Sequence, residues 1–132
     1  TLVTLGKAVT LRSGSDVALL ATGPILSRAL AAADELVGQG ISASVVSFPA
    51  VSPLDEDCIA ALAASHRALL TIEEHSEHGG FGSRVADLLM AAGAPVRFGK
   101  YGTTDELRGK VGSQSYLLGL LPSVAARAAA LL

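Results

Sequence analysis

The residues best equipped for chemistry crowd into one stretch, Thr71–Val85, TIEEHSEHGGFGSRV. Glu73, Glu74, His75, Glu77 and His78 put carboxylates and imidazoles side by side, and Gly79, Gly80 and Gly82 follow at once. Three kinds of chemistry suit such a set. Imidazole and carboxylate ligands hold divalent metals when the ligand set closes around the ion. Glycine-rich starts of helices gather free backbone N–H groups and favour an anion. A polar, flexible bend can also meet another protein surface.

These side chains need elements to carry them. Ala68–Ile72 is an apolar run of strand length, and Phe81–Ala92 places Val85, Leu88, Leu89 and Ala92 at helical spacing. The cluster therefore lies between a strand and a helix. Open α/β folds commonly keep functional groups there, outside the carboxyl ends of the strands.

The rest of the chain repeats that alternation. Lys7–Arg12 alternates polar and apolar residues and reads as a half-exposed strand, followed by the turn cluster Ser13–Asp16. Val17–Ala21 is apolar throughout, the pattern of a strand covered on both faces. Ile25–Val37 has helical spacing, with Gly38 and Gly40 as its stop. Ile41–Phe48 is rich in β-branched residues and ends at Pro49. Ser52-Pro53-Leu54-Asp55 predicts a helix start, Ser52 capping, Pro53 in the first turn and Asp55 reaching back, with the helix running to about Ser65. Gly93 closes the helix that begins at Phe81, and Pro95–Phe98 predicts a further strand. Gly99–Gly112 reads as irregular, Ser113–Leu118 as a short helix, and Pro122–Leu132 as an Ala-rich helix. Short connections between alternating strands and helices imply right-handed crossovers and a mostly parallel sheet between two helix layers. The first strand is expected antiparallel, at an edge.

Bulk properties narrow the function classes. The 132 residues amount to one domain, spanning 1–132. Apolar residues are 50% and aromatics 4%, so the core is aliphatic. A net charge of −2 gives no electrostatic reason to expect nucleic acid or an anionic membrane as partner. No stretch approaches the ~20 apolar residues of a membrane span. The single cysteine, Cys58, forms no internal disulfide, and with no signal peptide legible a cytoplasmic location is expected.

Three motifs in order, GKAVTLRSGSDVALLATGP, then VSPLDED after a strand, then LLTIEEHSEHGGFGSRVADLL, resemble the C-terminal domain of transketolase. The same domain closes deoxyxylulose-phosphate synthase and the beta subunit of 2-oxo acid dehydrogenases. The resemblance runs from about Gly6 to Pro95; the Pro-Leu-Asp at Pro53–Asp55 and the Glu-Glu-His ahead of Gly-Gly-x-Gly-Ser are the most transketolase-like parts. It implies a three-layer α/β/α domain with a five-stranded mixed sheet, mostly parallel, whose first strand is antiparallel. It also implies an enzyme of two-carbon ketol transfer, working as a homodimer or heterotetramer, in which other domains bind thiamine diphosphate and magnesium. The family's Gly-Asp-Gly segment with a following Asn, which holds metal and diphosphate, does not occur in this sequence.

Cys58 on its helix stripe and His66 at the helix end supply no fourth ligand, so no metal site is expected. Glu73, Glu74 and Glu77 repel an anion, and the glycines form neither a P-loop nor a dinucleotide fingerprint. Ser83 lacks a nucleophile's Gly-x-Ser-x-Gly setting, and Cys58 reads as an inert core thiol. No catalytic or cofactor-binding residue is assigned. The expected use is an interface with other domains or subunits of one enzyme, formed by Glu73, Glu74, His75, His78, Gly79, Gly80, Phe81 and Gly82, with Phe81 as apolar anchor. Two other readings remain: the same domain of a 2-oxo acid dehydrogenase beta subunit or deoxyxylulose-phosphate synthase, and a non-enzymatic flavodoxin-like binding module.

Overall fold

The computed structural model describes residues 7–22, 25–49, 54–73, 80–102 and 124–132. Within them run β1 (Val9–Arg12), β2 (Val17–Ala21), α1 (Leu26–Gly38), β3 (Ala43–Ser47), α2 (Glu56–Ser65), β4 (Ala68–Glu73), α3 (Phe81–Ala92), β5 (Arg97–Gly102) and α4 (Val124–Ala130). The strands form one sheet in the order β1-β3-β2-β4-β5. β2, β3, β4 and β5 are mutually parallel, and β1 runs antiparallel to β3 at the edge.

The apolar runs behave as strands covered on both faces demand. β2 and β4 are buried at every position. Because side chains alternate across a strand, each strand feeds two cores. Val17, Leu19, Val45, Leu70 and Ile72 pack under α1 and α4, against Ala29, Ala33, Leu36 and Ala128. Ala18, Leu20, Val46 and Leu69 face α2 and α3, against Ile59, Phe81, Val85 and Leu89. The fold is thus the expected three-layer sandwich. Among the described residues, no helix is long and apolar enough to cross a membrane.

Element ends follow local chemistry. α1 unwinds through Gly40 at φ 77°, and α3 stops at Gly93 at φ 64°, both in the left-handed region that glycine enters without penalty. Gly14 serves a different need. A Cβ there would lie 2.4 Å from the Ala43 carbonyl carbon, so only glycine lets the β1–β2 turn pass beneath the start of β3.

Four expected boundaries are corrected. α2 starts at Glu56, and its cap is Asp55, whose side chain accepts from Cys58 N; Ser52 and Pro53 lie outside the described residues. β3 is shorter than Ile41–Phe48. β5 extends from Arg97 to Gly102 instead of ending at Phe98. Gly99 and Gly102 read as loop residues in sequence, yet Gly99 sits in register with Leu70, where the Leu131 side chain closes over it. The last helix is confined to Val124–Ala130 in the described residues. The expected helix Ser113–Leu118 lies outside them.

Candidate interdomain site at the β4–α3 junction

Glu73 is the last residue of β4 and, at 7% exposure, a buried carboxylate. Its Oε2 accepts from Phe81 N at 3.1 Å and its Oε1 from Gly82 N at 3.1 Å. Phe81 and Gly82 open α3, so these are free N–H groups of a helix N-terminus. Gly80, the cap residue, has no side chain to satisfy them. Glu73 does it from the preceding strand, and its charge also suits the positive end of the helix. The end of β4 is thereby joined to the start of α3.

Two neighbours complete the junction. Phe81 is 1% exposed and stacks at a tilt on Phe48, ring centroids 5.1 Å apart. A Cβ on Gly82 would stand 2.7 Å from Thr71 Oγ1 and 2.9 Å from Lys100 Cδ, so this glycine sets how closely α3 sits on β4. The close fit leaves the fully buried Thr71 hydroxyl without a hydrogen-bond partner.

Of the expected interface residues, the structure brings Glu73, Phe81 and Gly82 together, facing inward. Phe81 is therefore corrected from an outward anchor to a core residue: its ring is already covered by its own domain. Glu73 and Gly82 likewise complete the domain's own junction. Gly80 is half-buried at the rim. Glu74, His75, His78 and Gly79 lie outside the described residues, as does Glu77. The anion reading takes a definite form: the N-terminus of α3 already holds an anion, the Glu73 carboxylate.

Among the described residues, neither Cys58 nor His66 joins a metal set. Burial, then the nearby Asp55 charge, pushes the Cys58 thiol up from its ordinary pKa, away from the thiolate a metal or electrophile needs. His66 sits at the start of β4, with the cluster at its end. Its Nε2 lies 2.8 Å from Ser44 Oγ and its Nδ1 3.0 Å from the Leu62 carbonyl. Ser44 Oγ also accepts from Gly14 N at 2.8 Å. This knot fastens the β1–β2 turn, β3 and the end of α2. Its visible signal in sequence is Ser44, a serine set among the apolar Ala43, Val45 and Val46. Among the described residues, no group of three or more His, Cys, Asp or Glu side chains is placed to hold a metal.

Asp55 gives the Pro-Leu-Asp motif a physical role. Oδ1 caps α2 through Cys58 N at 3.2 Å, while Oδ2 accepts from Ala8 N at 2.8 Å. One carboxylate thus joins the start of α2 to the chain just ahead of β1. The hydrogen bond from Ala8 N, ahead of the opposing effect of burial, holds the carboxyl below its ordinary 3.8.

Comparison with known proteins places these features in a family. Residues 6–117 match the model for "Transketolase, C-terminal domain". The 6-deoxy-6-sulfo-D-fructose transketolase subunit SqwH of Clostridium sp. (strain MSTE9) is 44% identical over 117 residues, 83% of this chain and 36% of that subunit. The 1-deoxy-D-xylulose-5-phosphate synthase of Pelotomaculum thermopropionicum is 44% identical over 92 residues, covering 70% of this chain and 14% of that enzyme. A solved split-gene transketolase, described as an inactive beta4 tetramer, superposes with a TM-score of 0.79 at 31% identity, over 98% of this chain and 41% of its own. The chain thus spans well under half the length of these relatives.

Proposed function

We propose, since this chain belongs to the family of transketolase C-terminal domains, that it completes a thiamine diphosphate-dependent transferase by holding domains or subunits together. The enzyme's reaction is two-carbon ketol transfer between sugar phosphates or related carbonyl compounds. Thiamine diphosphate would supply the electron sink for that chemistry.

The observation that carries this division of labour is the Glu73 carboxylate on the N-terminus of α3. A diphosphate needs such a set of N–H donors, and the set offered at the β4–α3 junction is already filled by a like charge. That junction therefore disfavours a diphosphate, which supports binding of the cofactor, with magnesium, by other domains. What the junction offers instead is a strand end fastened to a helix start. We assign Glu74, His75, His78, Gly79 and Gly80 to contacts with those domains or with a second subunit, in a homodimer or heterotetramer. The name "subunit" borne by the Clostridium relative and the beta4 assembly of the split-gene transketolase are in keeping with this role.

Calorimetry of this chain with thiamine diphosphate and magnesium tests the proposal. No binding heat is expected, whereas tight stoichiometric binding overturns it. A second reading, a deoxyxylulose-phosphate synthase domain, is favoured by the 44% identity to the Pelotomaculum enzyme. Assaying the complete enzyme for ketol transfer between sugars and for deoxyxylulose phosphate formation separates the two.

A further inference from the structure

A cleft of about 360 Å³ opens between α2 and α3. Both helices cover the same face of the sheet. Each joins two strands of its parallel part, so the two run side by side in one direction. Ile59 and Leu89, themselves buried, form the floor of the cleft. Ala60, Ala63 and Ala92 line it where larger side chains would close it. Pro95, which has no N–H to donate, stands where α3 hands over to β5. Past its first turn, α2 carries no charged side chain as far as Ser65. Charge enters the cleft at one end only, from Glu56 and Asp57. Both are exposed, and neither has an ion-pair partner among the described residues. Acids in a first turn ordinarily offset the helix dipole, but that end amounts to only about half a positive charge. Asp55 already stands at the cap. The three carboxylates outweigh both the dipole and Lys7, the cation whose charge acts on Asp55.

We propose that this cleft binds a small organic cation, its ammonium group held by Glu56 and Asp57 and its alkyl or aryl body lying between α2 and α3. Size selects a small molecule over a protein. The volume falls within the roughly 300–1,000 Å³ of small-molecule pockets. The cleft's length along α2, from Glu56 to Ala64, is about 12 Å. That is a fraction of the reach of a protein interface, which covers about 800 Å² on each partner. Charge selects the head group. The same carboxylates repel an anion, and a neutral ligand leaves them unused. An exposed carboxylate contributes little by itself, so the apolar body carries most of the affinity and the head group the selectivity. None of these residues belongs to the β4–α3 junction, so the site stands apart from the function proposed above.

The test uses the complete enzyme that carries this domain and three probes with one body and different head groups: n-octylammonium, octanoate and octanol. Titration calorimetry at low ionic strength, where exposed charges act most strongly, measures each. Octylammonium is expected to saturate one site per domain and octanoate to bind at least tenfold more weakly. Ala60→Phe fills the cleft and is expected to abolish that site; Ala60 is exposed, so the fold accepts the larger side chain. Met90→Phe adds bulk on α3 outside the cleft, at a residue 83% exposed, and is expected to leave binding unchanged. Glu56→Gln combined with Asp57→Asn is expected to bring octylammonium down to the affinity of octanol. Octylammonium binding that survives Ala60→Phe, or octanoate binding as tight as octylammonium, overturns the site. An octylammonium affinity unmoved by the double substitution overturns the assigned head group. No saturable binding of any probe overturns the proposal outright and leaves the cleft to a protein neighbour.

Discussion

Two carboxylates and one hydroxyl decide most of the local physics. Glu73 and Asp55 each accept two backbone N–H groups, and each thereby joins a helix start to another part of the chain. Thr71 is the opposite case, a buried hydroxyl with nothing to bond. A buried polar atom left unpaired costs free energy that an isosteric methyl does not. Thr71→Val is therefore expected to raise stability by about 1 kcal/mol in urea titration; an unchanged or lower midpoint refutes the unpaired assignment. Asp55 makes a pH prediction. Its carboxyl is held below 3.8 in the folded chain, so its stabilisation is fully present above that value. It is lost as pH falls through the lowered folded value. Wild type and Asp55→Asn are thus expected to differ most near neutral pH and to converge below pH 3.8. A gap that stays constant from neutral to strongly acid pH rules out the charge as its source.

At the scale of elements, most of the architecture was legible. Uniformly apolar runs gave β2 and β4, helical spacing gave α1 and α3, and Gly93 marked the end of α3. What escaped the reading depended on neighbours distant in sequence. Gly99 looks like a loop residue until Leu131 is seen to need its empty space. Ser52 is as good a local cap as Asp55, and Asp55 gains its second partner from Ala8, far back in the chain. Phe81 is a case of the same kind: an aromatic beside glycines suggests an exposed anchor, and only the crossing of chain segments puts Phe48 against it. Phe81→Ala empties a core site shared by β3's end and α3, so it is expected to lower the stability of the fold by about 3–5 kcal/mol. Chemical denaturation checks this, and a loss below 1 kcal/mol would return Phe81 to the surface.

For the molecule as a whole, the described ends of the junction hold the fold, and residues 74–79 are the ones assigned to contacts outside it. Glu73 and Phe81 are used internally, so changes there act through stability. His75 and His78 belong to the loop assigned to neighbouring domains. Substituting both with alanine removes two polar side chains that a subunit or domain contact would desolvate and pair. Truncating hydrogen-bonded groups at such a contact typically weakens it by about 2–5 kcal/mol when the partner is left buried and unpaired. In the complete enzyme, His75→Ala combined with His78→Ala is accordingly expected to raise the dissociation constant of the assembly at least tenfold, about 1.4 kcal/mol. The unfolding midpoint of the separated domain is expected to stay in place. Analytical ultracentrifugation and denaturation of the same variant read the two quantities independently. Phe81→Ala supplies the reverse pattern, a fold weakened before any contact is lost. Were the histidine variant to lower the midpoint and leave assembly intact, the loop would belong to the domain's own stability, and the division between an inward junction and an outward bend would be wrong.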